Sequence, residues 1–322
     1  MKQAAVILVL LTVASLGVAQ QPQQTPNQQK QPSGTSSQGT TQAQTAKRPP
    51  QAKTQPEFDA YQAAIKNQND GAAMEKSADD FAAKFPESEL RVLLYRTAMH
   101  TYQAGNNAEK MAEMAQKVLK IDPDDPEALV GAAEVIAERT RDTDLDKDQR
   151  LAEAQKDAER ALQTVDTDVA IPAGTPQERI DAYKGFLRSS AYSILGTLAF
   201  NQKNYAEAEN QFRKSIDAFP AQPDPVVVLR LAIALDNQGK YPEALKALGG
   251  AVKQNPNNVE AHYVMAVVYV SLRQYAQAAS EYQSVIRMVP TSSLAQMAAE
   301  GLRKIGGSLP APPKLPPLKT SH

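Results

Sequence analysis

One pattern is written three times between residues 204 and 290. The copies read NYAEAENQFRKSIDAFP at 204–220, KYPEALKALGGAVKQNP at 240–256 and QYAQAASEYQSVIRMVP at 274–290. Each copy has a Tyr in second place, an Ala three residues later, a bulky residue four after that Ala, and a Pro at the end. A pattern that returns in consecutive segments indicates a chain built from stacked copies of one structural unit.

The spacing predicts that each unit is a pair of antiparallel helices. A second helical pattern precedes each copy and carries a small residue twelve positions before the Ala; the pairs are Gly196–Ala208, Ala232–Ala244 and Ala266–Ala278. Two helices approach closely only where small side chains face each other, and a bulky residue one turn later fills the space beside them. The final Pro ends the unit because it cannot continue a helix. We therefore expect all three Ala residues to be buried at helix crossings.

These offsets resemble those of the tetratricopeptide repeat (TPR), a helix pair of 34 residues. The segment around Leu195, Gly196 and Tyr205 carries the motif most completely, and Pro256 and Pro290 are 34 residues apart. The resemblance implies an all-α fold, a right-handed α-solenoid of antiparallel helix pairs with about five to six units and a terminal capping helix. The segment YQAAIKNQNDGAAMEKSADDFAAKFPESELR at 61–91 also resembles the opening repeats of exported bacterial envelope proteins of this class.

Weaker copies of the pattern lie upstream, with larger residues at the crossings. They are Met99, Met111, Ala115, Val118 and Pro123, and before them Gln62, Met74, Ala78, Phe81 and Pro86. One further unit is interrupted, because the small residue that should follow Ala133 arrives nine residues late at Ala154. We expect looser packing in this half of the array.

These observations predict the organisation of the whole chain. We expect a disordered tether rich in Gln, Pro and Thr at 20–56, because it has no large apolar residue to bury. Divergent TPR-like pairs follow at 57–166, with an inserted acidic loop at 139–150. The range 167–307 holds TPR units at about 189–222, 225–258 and 259–292 and a capping helix at 293–305. A Pro-rich disordered tail occupies 308–322.

The first 19 residues predict export. Lys2 precedes an apolar run of 16 residues that ends with small residues, as in a secretory signal. We expect cleavage after Ala19 and a periplasmic or extracellular protein that meets the membrane only transiently through this segment. The alternative is an uncleaved membrane anchor, although a spanning helix needs about 20 apolar residues.

Composition and motifs argue against catalysis and against several partners. The net charge is −1, which gives no electrostatic reason to expect nucleic acid binding. The chain has no Cys, and its three His residues lie in different units without a catalytic motif. We expect no enzyme activity, no catalytic residues and no cofactor. Asp142, Asp144, Asp146 and Glu153 have the spacing of a calcium loop, but Lys147 replaces the Gly that such a loop needs, so we expect no metal site.

The TPR resemblance implies a partner-binding groove lined by the first helix of each unit. The groove positions fall on Arg96, His100, Leu229, Ile233, Tyr263 and Val267. The alternative for the apolar ones is burial against a neighbouring helix. We expect a non-enzymatic protein–protein interaction scaffold that binds an apolar peptide or helix in this groove. The alternative function is a structural cell-envelope component that self-associates or sits in a fixed assembly.

Overall fold

A computed structural model gives the fold, and it describes residues 47–169, 171 and 174–306. The predictions for the signal at 1–19, for most of the tether (20–46) and for the tail at 308–322 lie outside these residues. Within them the chain forms thirteen α-helices and no strand. The described part of the chain is therefore all-α, as predicted.

The helices follow one another with short connections. The first seven are α1 Gln55–Ile65, α2 Gly71–Lys84, α3 Arg91–Ala104, α4 Ala108–Leu119, α5 Pro126–Arg139, α6 Lys147–Thr164 and α7 Gln177–Asn201. The other six are α8 Tyr205–Ala218, α9 Pro225–Asn237, α10 Tyr241–Gln254, α11 Val259–Ser271, α12 Tyr275–Met288 and α13 Ser293–Ile305. The β-branched run PVVVLRLAIAL forms α9, since Asp224 caps its N-terminus and Pro225 opens it.

Four of the turns inside the helix pairs share one backbone conformation. Asn106, Lys203, Gly239 and Arg273 each have a φ between 56° and 74°, in the left-handed region. Each lies in the short turn that joins the first helix of a pair to the second. Gly239 takes this conformation freely, whereas the other three carry a Cβ and accept some strain. The repeat is therefore visible in the turns as well as in the helices.

The chain divides into two compact parts, each larger than one repeat of the pattern, which we call unit 1 and unit 2. Unit 1 comprises Met1–Arg139 and Glu159–Leu187, and unit 2 comprises Thr140–Ala158 and Arg188–His322. The boundary predicted between 166 and 167 falls inside unit 1. The sequence suggested that boundary because the repeat pattern is interrupted before α7, whereas the compact units divide after α5, within α6 and within α7.

Unit 2 has the packing that the repeat pattern predicts. Each of α8 to α13 contacts the next, and the first helices of successive pairs also touch, α9 with α11 and α11 with α13. Ala208, Ala244 and Ala278 are completely buried, which confirms the prediction for the helix crossings. Phe212 and Leu248 fill the space beside two of these crossings and are equally buried.

Unit 1 keeps the same order of helices with larger residues inside. Neighbouring helices from α1 to α5 contact one another, and α1 also contacts α3. Met74, Met111 and Met114 are buried in one continuous core. Methionine is flexible enough to fill the spaces between these helices.

Two predicted boundaries need correction. The tether was expected to run to residue 56, but α1 begins at Gln55 and residues 47–53 make hydrogen bonds to unit 1. The acidic insert was expected to be a loop over 139–150, but Lys147 already begins α6. In both places charged side chains form ion pairs, which composition alone does not reveal.

A pair of Gly-to-Ala substitutions tests the helix crossings. A Cβ on Gly196 would lie 2.5 Å from Cδ1 of the buried Phe212 ring, whereas a Cβ on Gly249 would meet nothing within 4 Å. Gly196→Ala should therefore destabilise the protein by about 1–3 kcal/mol. Gly249→Ala should stabilise it by about 0.5–1 kcal/mol, since Ala favours a helix interior. Chemical denaturation measures both, and equal effects would contradict the assigned crossing.

Candidate functional site

The four apolar residues predicted to line the groove lie on two neighbouring helices of unit 2. Leu229 and Ile233 are one turn apart on α9, and Tyr263 and Val267 are one turn apart on α11. Residues four apart share a helix face, and α9 contacts α11. All four side chains are half-buried, so they are neither fully enclosed nor fully exposed.

Two exposed residues extend this surface, and the sequence analysis missed both. Val226 precedes Leu229 by one turn and is 46% exposed, while Met297 on α13 is 51% exposed. Leu229, Tyr263 and Met297 follow one another at intervals of 34 residues. Met297 therefore has the same place on α13 that Leu229 has on α9 and Tyr263 has on α11. Extending the repeat offset into the capping helix would have found it. We call the six residues the apolar strip: Val226, Leu229, Ile233, Tyr263, Val267 and Met297.

The middle of the apolar strip rests on the core of unit 2. Leu229, Ile233 and Tyr263 pack against the buried cluster formed by α8 to α11. The Tyr263 ring also lies against the buried Tyr282, with 5.9 Å between ring centroids. These contacts fix the position of the half-buried residues, whereas Val226 and Met297 have more of their surface free.

A carboxylate adjoins the apolar strip. Asp236 follows Ile233 by three residues and so lies on the same face of α9. Its Oδ1 is buried and has no hydrogen-bond partner in the part of the chain that the structure describes. Burial raises the pKa of Asp236 above its ordinary value, and Ser271 on α11 partly offsets this shift. An unpaired buried acceptor is costly, and a donor from a partner would remove that cost.

The other two predicted groove residues, Arg96 and His100, belong to a cluster of charged groups in unit 1. Arg96 donates a hydrogen bond to Asp125, and its Nε lies 3.3 Å from Oε2 of Glu127. Nε2 of His100 lies 3.0 Å from the same Glu127 oxygen. Asp125 also caps α5 by accepting a hydrogen bond from the backbone N–H of Ala128. These contacts join α3 to the start of α5, and a role in partner binding for Arg96 and His100 stays a prediction.

Burial and the neighbouring cations shift the pKa values of the two carboxyls of this cluster in opposite directions. Burial raises the pKa of Asp125 above its ordinary value, although Arg96 opposes the shift. Burial would also raise the pKa of Glu127, but Arg96 and His100 outweigh it and hold that pKa below its ordinary value. Arg96 therefore compensates two desolvated carboxyls at once.

Comparison with known families decides what the repeated helix pairs are. The tetratricopeptide repeat family matches residues 229–293 and, with a second family description, residues 188–218. These ranges cover the helix pairs in which the crossing residues are buried. The chain is a protein that contains TPRs over these two ranges. No curated protein sequence matched this TPR protein.

Solved TPR structures are similar to it at low sequence identity. "YrrB: a TPR protein with an unusual peptide-binding site" is 19% identical, with a TM-score of 0.47 over 69% of this chain and 99% of that one. MamA from Desulfovibrio magneticus RS-1 is 17% identical, with a TM-score of 0.43 over 63% and 97%. The Arabidopsis OM64 TPR domain is 22% identical, with a TM-score of 0.35 over 37% and 98%. Similarity at this level does not transfer a binding site.

Two further polar pairs of the TPR protein lie in unit 2. His262 pairs with Glu281 at 2.5 Å, and its other ring nitrogen lies 3.1 Å from the Pro256 carbonyl oxygen. No cluster of three or more His, Cys, Asp or Glu residues that could hold a metal occurs in residues 47–169, 171 and 174–306. In the acidic insert, Asp142 pairs with Lys147 at 2.7 Å. The expectation that calcium does not bind there stays a prediction.

Removing Arg96 should test the cluster in unit 1. Arg96→Met leaves Asp125 and Glu127 buried without their cation, and should destabilise the TPR protein by about 3–5 kcal/mol. Arg160→Met is the matched control, because its 2.7 Å pair with Asp124 is exposed, and it should cost less than about 1 kcal/mol. Urea denaturation of both variants measures the difference.

The loss of stability caused by Arg96→Met should also depend on pH. The folded pKa of Glu127 is lowered, so its stabilising contribution is present at neutral pH and is lost as pH falls through that value. Protonation also neutralises the carboxyls that Arg96→Met leaves unpaired. The destabilisation should therefore be smaller at about pH 4 than at about pH 7. A cost that does not change with pH would show that Arg96 acts mainly through packing.

Proposed function

We propose that this TPR protein is a non-enzymatic interaction scaffold that binds an apolar segment of a partner protein along the apolar strip. The observation that carries the proposal is the register of Leu229, Tyr263 and Met297 on three successive first helices. Val226 and Met297 leave about half of their surface exposed at the ends of this line. Apolar side chains exposed close together are typical of interaction sites.

The helix spacing suggests what the partner's sequence should look like. Packed helices lie about 8–10 Å apart, so successive contact points along the apolar strip have a similar separation. A polyproline II segment advances about 3.1 Å per residue with three residues per turn, so it would present an apolar side chain on one face at every third position. A helical segment advances about 1.5 Å per residue and would present an apolar side chain to the apolar strip at every seventh position.

Asp236 supplies a polar requirement beside this apolar surface. A partner that places a backbone or side-chain donor near its buried Oδ1 gains a hydrogen bond that the free protein lacks. A partner that covers the carboxylate with apolar atoms leaves the acceptor unpaired, as it is in the free protein, and gains no hydrogen bond there. We therefore expect selected ligands to combine spaced apolar residues with one donor.

We also propose that the protein acts outside the cytoplasm. The support is the sequence of residues 1–19, which resembles a secretory signal. No helix in the described ranges has the length and apolarity needed to cross a membrane. Sequencing the N-terminus of the protein isolated from fractions of its own cells tests the proposal: a start at Gln20 supports it, and a start at Met1 in the cytosolic fraction contradicts it.

Replacing the two exposed residues tests the binding surface with little damage to the core. Each is already about half-buried, so complete burial by a partner should contribute about 1 kcal/mol per residue. Val226→Ser with Met297→Ser should then weaken binding of display-selected peptides about 30-fold. The melting temperature should change little. Fluorescence polarisation and thermal melting on the same samples give both values.

Leu145→Ser is the matched control. Leu145 is fully exposed in the acidic insert of unit 2 and does not belong to the apolar strip. This variant should bind the selected peptides as the unchanged protein does. Equal binding by all three proteins would contradict the proposal. Self-association that the double variant abolishes in sedimentation would instead support the alternative, a structural component of an assembly.

A further inference from the structure

A short basic segment of the chain lies across unit 1. Residues 47–53, which we call the strap, read Lys-Arg-Pro-Pro-Gln-Ala-Lys and precede α1 without forming a helix. The strap contacts three connections of unit 1: those that follow α2, α4 and α6. A segment that crosses three successive connections resembles a bound ligand more than a local turn.

The first residue of the strap makes the most extensive contact. The Lys47 ammonium lies 2.6 Å from both carboxylate oxygens of Asp122 and 3.6 Å from Asp168. Its backbone N–H donates to the carbonyl oxygen of Thr167 at 2.8 Å. The connections after α4 and α6 therefore hold one end of the strap.

The connection after α2 holds the rest of the strap. Nη2 of Arg48 donates to both oxygens of Glu89 at 2.8 Å, and the backbone N–H of Gln51 donates to the same carboxylate at 3.3 Å. The Lys53 ammonium donates to the Glu87 carbonyl oxygen at 2.9 Å. We call this binding surface the acidic track. It consists of the carboxylates of Asp122, Asp168 and Glu89 and the backbone carbonyls of Thr167 and Glu87.

The contact has the chemistry of an exchangeable complex. The side chains of Arg48 and Glu89 are 58% and 39% exposed, and exposed ion pairs are individually weak and screened by salt. Lys47 is 37% exposed, whereas its partners Asp122 and Asp168 are 15% and 25% exposed. Pro49 and Pro50 favour an extended backbone, so little conformational freedom is lost when the segment binds. Without the strap, the three carboxylates of the acidic track would lose these cations.

We propose that the acidic track is a second partner-binding surface, that it accepts an extended segment of another protein with two adjacent cations followed by prolines, and that the strap occupies it as an intramolecular ligand. The acidic track lies wholly in unit 1, so it is separate from the apolar strip of unit 2. Thr54 joins the strap directly to α1, which gives the strap a high effective concentration. Binding of a partner is therefore coupled to release of the strap.

The test uses the full chain with the strap weakened. Lys47→Glu with Arg48→Glu should release the strap and leave the acidic track free. The probe is a fluorescent peptide with the sequence of residues 47–54 and an acetylated N-terminus. It should bind this variant at least about tenfold more tightly than the unchanged protein, whose own strap competes. Its affinity should fall several-fold as the salt concentration rises from about 50 to about 200 mM, because the contacts are ion pairs.

Two controls keep the result interpretable. Lys47→Ser with Arg48→Ser releases the strap without adding negative charge, and circular dichroism melting establishes that each variant is folded. Adding Asp122→Asn and Glu89→Gln to the serine variant should abolish peptide binding. The proposal is overturned if the peptide fails to bind both folded strap variants, or if it binds equally after the acidic track is neutralised.

Discussion

The close helix crossing in unit 2 is the interaction on which the rest of that unit depends. Gly196 leaves room for the Phe212 ring, and the completely buried Ala232 and Ala244 belong to the next pair, in which Leu248 holds the equivalent place. Because each crossing fixes the position of one pair, the first helices α9, α11 and α13 stack in a constant register. That register sets Leu229, Tyr263 and Met297 in line, so the proposed binding surface follows directly from the packing.

The two units use the same helix order for different surfaces. In unit 1 the crossings carry larger residues, and charged groups join successive elements, as Arg96 does between α3 and the start of α5. In unit 2 the corresponding first-helix positions are apolar and half-buried. Unit 1 thus presents the acidic track, which its own strap occupies, and unit 2 presents the apolar strip.

The sequence predicted most of the fold because the repeat is a matter of spacing. The Ala residues at 208, 244 and 278 could be placed inside from offsets alone. Features set by side-chain contacts between distant residues were not predictable in this way. The strap looked like spacer because it has no large apolar residue, and only its contacts with Asp122 and Glu89 distinguish it. The burial of Asp236 could not be predicted from the sequence, because it depends on how α9 packs against α11.

Cysteine footprinting tests the account most directly, because the chain contains no Cys and each introduced thiol reports on one position. Val226→Cys, Met297→Cys and Leu145→Cys would each be labelled with a soluble maleimide, with and without a saturating display-selected peptide. If the peptide lies along the apolar strip, labelling should slow at least about tenfold at 226 and at 297 and stay unchanged at 145. Equal labelling at all three positions in the presence of bound peptide would contradict the claim that the repeat register creates the binding surface.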